Sequence, residues 1–229
     1  MPPHLLLTLQ LLLCPFTPST SWAQQAPTPV AAREATQSLP AAKFVQDLGD
    51  EAIRVISDKS VSEDKRTAKY HELLRDAFDM KAIAHFVIGR AWDRASPEQL
   101  QEYMRLFERL VLEIYGDRLE MYSGEKFRVT GARAESDRDY MVGSEIDHPG
   151  GAAPTHVDWR VRQKDGRFAV VDVIVSGVSQ SVTQREEYMS IIQGDNGKLD
   201  GLLAKMRQRL QDMNGAILAA PFPAEKAGG

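Results

Sequence analysis

The residues best placed to do chemistry are Gly177-Val178-Ser179-Gln180-Ser181, which stand between an apolar run and an amphipathic one, as a nucleophile elbow would. An elbow ends on a glycine and sits in a parallel βα unit. Here the last position is Ser181, and the preceding run reads as one arm of a hairpin. The structural reading is that Gly177 permits a sharp strand exit and that Ser179 or Ser181 caps the following helix. That reading is the expectation, and no catalytic residue is assigned. Asp172 interrupts an otherwise apolar run over 168–175, and a buried carboxylate is costly unless it is hydrogen-bonded or paired. Arg185 or a backbone cap would satisfy it, and a general base is the competing role. His156 and Asp158 share a strand face and offer two ligating groups. However, His71, His85 and His148 stand in no metal-binding spacing, so no metal is expected.

A second kind of chemistry is electrostatic. Arg128, Arg160, Arg162, Lys164 and Arg167 would form a basic surface if neighbouring strands presented them together. Such a surface attracts anionic lipid headgroups by about 1 kcal/mol per basic residue. The simpler reading is a solvated sheet face. With a formal charge of −4 the chain lacks the basic excess of a general nucleic-acid binder.

The elements that must position these groups follow from periodicity. Val157, Trp159 and Val161 alternate with Asp158, Arg160 and Arg162, the signature of a strand with one buried and one wet face. Lys164-Asp165-Gly166 supplies a hairpin turn. The return strand, apolar on both faces, is expected at the centre of the sheet. Residues 126–132 and 139–146 read as two further strands. Ahead of them, Phe44, Leu48, Ala52, Val55 and Ile56 mark one amphipathic helix. Leu73, Leu74, Ala77 and Phe78 mark a second. Asp79 caps a third, short helix that Gly89 ends. Ser96-Pro97-Glu98-Gln99 then opens a long helix with a capping box. Two helices over 183–192 and 199–210 close the chain. Helices, about four sequential strands and helices again predict an α+β fold with a mostly antiparallel sheet.

Residues 1–23 read as a secretory signal peptide, with an apolar run over 5–16 and Ser21-Trp22-Ala23 ahead of Gln24. The run is shorter than the roughly 20 residues that a bilayer requires. Cys14 is the single cysteine of the 229 residues, and it follows Leu13 rather than the small residue of a lipoprotein signal. Cleavage after Ala23 would leave a secreted protein without thiols, held together by packing alone. A disordered leader over 24–39, one domain over 40–213 and a flexible tail over 214–229 complete the expected organisation.

Three blocks together carry a family resemblance: Ala84-His85-Phe86-Val87-Ile88-Gly89-Arg90-Ala91-Trp92 through Gln99, then Tyr115-Gly116-Asp117-Arg118-Leu119 with Tyr122-Ser123-Gly124, then 172–179. They resemble the MlaC family of periplasmic lipid-binding proteins, also called toluene-tolerance auxiliary components of ABC transport. The match spans roughly 40–212. Thr183-Gln184-Arg185-Glu186-Glu187-Tyr188 is most similar to the hopanoid-associated HpnM branch. One departure is Ser176, where many members carry Glu.

The resemblance implies a non-enzymatic carrier of phospholipid or hopanoid-type lipid, with helices closing an apolar pocket over the sheet and the bound lipid as cargo rather than cofactor. It implies as partners an inner-membrane ABC complex with an MCE-domain protein and an outer-membrane lipoprotein complex. At about 0.8 kcal/mol per buried CH₂, exposing two long acyl chains would cost on the order of 20 kcal/mol, so a shallow groove would fail. The candidate pocket wall is Val87, Trp92, Phe107, Val111, Tyr115, Phe127, Val129, Tyr140, Val142, Val157, Trp159 and Val161. The same residues serve equally to fill an ordinary core, as a periplasmic adaptor without cargo would require.

Overall fold

A computed structural model describes residues 39–116 and 124–219, with side chains through 114 in the first segment and through 213 in the second. The signal, most of the leader, the 117–123 part of the second family block and the end of the tail lie outside the described residues. Five helices come first: α1 Pro40–Ser57, α2 Glu63–Ala77, α3 Met80–Ile88, α4 Ala91–Arg94 and α5 Pro97–Gly116. Strands β1 Lys126–Ala134, β2 Asp139–Asp147, β3 Thr155–Lys164, β4 Arg167–Val175 and β5 Val178–Ser179 follow. Helices α6 Gln180–Gly194 and α7 Asp200–Ala219 end the described chain, α7 running beyond the periodic stretch that closes at 210.

Local chemistry fixes the helix starts. Asp79 Oδ1 accepts from the Ala82 amide at 2.9 Å, which starts α3, and Gly89 ends it. At α5 the capping box forms reciprocally. The Gln99 amide donates to Ser96 Oγ at 3.2 Å, and the Ser96 amide donates to Gln99 Oε1 at 3.0 Å. No described helix is long and apolar enough to cross a membrane.

The five strands form one antiparallel meander in the order β1-β2-β3-β4-β5. Asp165 and Gly166 adopt φ of 52° and 75°, the doubly left-handed turn that two-residue hairpins require. Two bulges, at Val129/Gly131 in β1 and opposite Arg160/Val161 in β4, bend the strands and reset which residues face inward. In β1 the inward positions therefore shift from Phe127 and Val129 to Ala132. As expected, β4 is interior, between β3 and β5. The β4 strand lies beside the two-residue β5, and farther along it a parallel bridge from Phe78 to Val170 covers its free edge. With β3 on one side and β5 and Phe78 on the other, β4 is paired along both edges for part of its length.

The fully buried side chains fall into clusters. Helix α1 crosses the sheet and packs Ala41, Ala42 and Val45 on Ala132, Val142 and Val161. The second cluster belongs to α3, α5, α6 and α7, around Val87, Tyr103, Phe107, Tyr188 and Leu202. Burial pushes the phenols of Tyr103 and Tyr188 well above their ordinary pKa, and Tyr103 donates to the Ala84 carbonyl at 3.0 Å. Helix α2 and Phe78 lie between the two, in small clusters around Leu48, Leu74, Ala77 and Val170. A domain this size usually has one contiguous core. Here partly buried side chains join the clusters: Phe44 and Trp159 link the one under α1 to that of Leu48, Phe78 links Leu48 to Leu74, and Val111 links Leu74 to the helical cluster.

Candidate functional site

An open cleft of about 760 Å³ lies where α1 and α2 diverge over one end of the sheet. Leu48, Ala52, Ile53 and Ile56 of α1 form one wall, and Tyr70, Leu73 and Leu74 of α2 form the other. Phe127, Ile146, Trp159 and Val173 make the floor, and Glu125, Lys126 and His148 bring polar groups to its lining. Its size falls within the range of small-molecule sites. His148 Nε2 lies 2.8 Å from Thr155 Oγ1, which ties the β2–β3 connection together beside the cleft.

The floor is held in place by specific contacts. Phe127 and Trp159 meet edge to face, with centroids 6.1 Å apart and planes at 83°. A Cβ on Gly49 of α1 would stand 2.2 Å from the Phe127 ring, so only glycine lets the ring lie against the helix backbone. Gln46 Oε1 accepts from the Val129 amide at 2.8 Å and satisfies an edge-strand donor next to the bulge. A smaller cavity of about 220 Å³ lies behind the cleft, lined by Phe78, Ile83, Val87, Phe107, Val111 and Val173 with Asp172, Ser181, Gln184 and Arg209 among its polar groups. Phe78 and Val173 line both spaces.

The structure distributes the candidate wall residues over several places. Phe127 and Trp159 line the cleft, and Val87, Phe107 and Val111 line the smaller cavity. Trp92 packs in the helical core, with its ring centroid 5.0 Å from that of His85 and 6.4 Å from that of Tyr103. Val129, Tyr140, Val142 and Val161 pack in the cluster under α1, and Val157 is buried in β3. The Tyr115 side chain lies outside the described residues. The α1 and α2 walls were not among the candidates. Their signal was present, since α1 carries Leu48, Ala52, Val55 and Ile56 and α2 carries Tyr70, Leu73, Leu74 and Ala77 at helical spacing.

Asp172 is 5% exposed and is met by Ser179 Oγ at 2.6 Å and the Ser181 amide at 3.0 Å. Ser179 Oγ also accepts from the Val182 amide at 3.1 Å, capping α6. The carboxylate is thus an extended cap, and its partner is not Arg185, which donates instead to the Phe86 carbonyl. Ser176 and Gly177, with φ of 50° and 83°, form the tight turn between β4 and β5, so the elbow geometry is absent and the strand does not exit directly into a helix.

The sheet arginines follow the simpler reading, a solvated face, rather than a basic surface. Arg128 pairs with Glu145 and Asp147, Arg160 with Glu135, and Arg162 with Asp139 at 2.7 Å. Neighbouring strands bring carboxylates opposite these arginines and largely neutralise the face. His156 Nε2 lies 3.2 Å from Asp158 Oδ1, and the described residues contain no group of three or more ligating side chains suited to a metal.

Residues 46–208, well over half the chain, match the family described as MlaC protein. The chain is 25% identical over 146 residues to the toluene tolerance protein ttg2D of Pseudomonas putida, an alignment covering 60% of this chain and 67% of that protein. It is 26% identical over 125 residues to the intermembrane phospholipid transport system binding protein MlaC of Haemophilus influenzae, covering 53% of this chain and 58% of that protein. Among solved structures, a phospholipid-binding protein from Ralstonia solanacearum, determined in complex with a phospholipid, shares the fold with a TM-score of 0.66. It is 23% identical, over 75% of this chain and 97% of that one.

Proposed function

The chain belongs to the MlaC family of periplasmic lipid-binding proteins, and from that premise we propose that it carries a phospholipid with its acyl chains in the cleft between α1, α2 and the sheet. The family is one of non-catalytic lipid carriers associated with ABC-type transport. The observation that carries the proposal is the open, largely apolar cleft of about 760 Å³ walled by α1 and α2 and floored by Phe127, Trp159 and Val173. A packed adaptor would have closed that space, because each unfilled region forfeits packing contacts. Cargo restores them. The proposed route runs between an inner-membrane ABC complex containing an MCE-domain protein and an outer-membrane lipoprotein complex.

A hopanoid-type lipid is the second cargo reading, favoured by the 183–188 segment that resembles the hopanoid-associated branch. Organic extraction of protein purified from the periplasm, followed by mass spectrometry, distinguishes the two. Phospholipid or hopanoid should appear at near one molecule per chain, and an extract without lipid after incubation with membranes refutes the carrier. Ala52→Trp should place an indole in the cleft and leave the protein folded and empty. Unfolding of that variant would instead indicate a site already filled by side chains.

A further inference from the structure

Every large hydrophobic side chain found exposed among the described residues lies at one corner of the molecule: Phe86 at 44%, Val178 at 55% and Val182 at 42%. Phe86 is on α3, Val178 is in β5 immediately ahead of the α6 cap, and Val182 is in the first turn of α6. Val182, Arg185 and Met189 fall at helical spacing on one side of α6. The Arg185 guanidinium carbon stands 5.2 Å from the Phe86 ring centroid, and the same guanidinium donates to the Phe86 carbonyl. The apolar side chains are therefore fixed beside a cation rather than scattered.

That cation is not alone. A groove of about 310 Å³ is lined by Arg90, Arg94 and Arg185 together with Ala91, Met189 and Ile192, and no carboxylate contributes to its lining. The arginines of the sheet face have acidic partners across the strands, but Arg90, Arg94 and Arg185 form no ion pair among the described residues. The nearest carboxylates in sequence, Asp93 and Glu186, lie outside the groove lining. In a chain of formal charge −4 this corner is a local positive field, and such asymmetry orients a protein before contact.

We propose that this corner docks the protein on an anionic phospholipid bilayer surface, with Arg90, Arg94 and Arg185 on lipid phosphates and Phe86, Val178 and Val182 dipping between headgroups. Guanidinium groups pair with phosphate through parallel hydrogen bonds. Apolar side chains next to basic ones are the pattern of interfacial binding. The corner is distinct from the cleft, which lies against α1 and α2, so docking does not depend on what the cleft carries.

The test is flotation of protein purified from the periplasm with vesicles of phosphatidylcholine alone and with one part in three of phosphatidylglycerol, at low and high salt. Binding should require the anionic lipid and fall with salt. Arg90→Gln with Arg94→Gln, both exposed and without recorded partners, should weaken it about thirty-fold, with circular dichroism unchanged. Val182→Ser should weaken binding and leave the salt dependence in place. Equal binding to both vesicle types, no binding to either, or indifference to the arginine changes overturns the proposal. So does saturable binding of inorganic phosphate at these arginines, or of an acidic protein, without binding to vesicles.

Discussion

The indole Nε1 of Trp159 donates to Ser144 Oγ at 2.8 Å, and that hydroxyl donates in turn to the Val157 carbonyl at 3.0 Å. Ser144 is fully buried in β2, and the relay sets the rotation of a ring that forms part of the cleft floor. Ser144→Ala leaves the indole N–H without its acceptor, at a cost of about 1–3 kcal/mol. The expected result is a stable but weakened fold with shifted tryptophan emission and lower lipid content after extraction. A variant as stable and as loaded as the parent would show that the relay positions nothing.

Gly49 tests whether the floor is shaped by its helix. Alanine is favoured over glycine in a helix interior by about 1 kcal/mol, so Gly49→Ala on an unconstrained face would stabilise. Here the new methyl meets the Phe127 ring at 2.2–2.8 Å. The ring must swing away from α1 and break its edge contact with Trp159. Overpacking of this kind costs about 1–3 kcal/mol. The melting temperature should fall, and lipid content should change with it; a rise would mean that Phe127 moves freely.

Asp172 and Ser179 form one capping unit, and their variants should behave as structural ones. Asp172→Asn retains a single acceptor oxygen where two are used, and losing hydrogen bonds to a charged group costs about 1.5–3 kcal/mol. Ser179→Ala removes an N-cap worth about 1 kcal/mol. Because both changes disrupt the same network, the double variant should lose less than the sum of the two, as denaturant titration would measure. Loss of a measurable turnover at unchanged stability would instead revive a catalytic role.

Elements set by local chemistry were legible in the sequence. The capping box at Ser96, the Asp165-Gly166 turn and the β3 alternation all depend on residues close in sequence. What stayed open depends on what lies opposite. Nothing near Arg128 in sequence announces that Glu145 and Asp147 face it, and nothing in β4 announces that Phe78 covers its edge. The cleft was half legible for the same reason. Trp159 and Phe127 sit on recognisable strand faces, but whether the α1 and α2 stripes close on each other or diverge is a tertiary outcome. The β1 and β4 bulges also shift the inward phase partway along each strand, which simple alternation does not anticipate.

Acid should weaken the ion pair that spans β2 and β3. Arg162 holds the Asp139 carboxyl below its ordinary pKa through hydrogen bonds from Nε at 2.7 Å and from a terminal guanidinium nitrogen at 3.4 Å. A carboxyl depressed by folding contributes stability that is complete above its unfolded pKa of about 3.9 and is lost as pH falls through the folded value. The pair is partly exposed, which limits its contribution to about 1 kcal/mol, or about 2–4 °C in melting temperature for a domain of this size. Asp139→Asn should therefore melt lower than the parent at pH 7, with the gap closing as pH drops below about 4, where the parent's carboxyl is also protonated. A gap that persists at pH 2.5 would assign the loss to strand packing rather than to the ion pair.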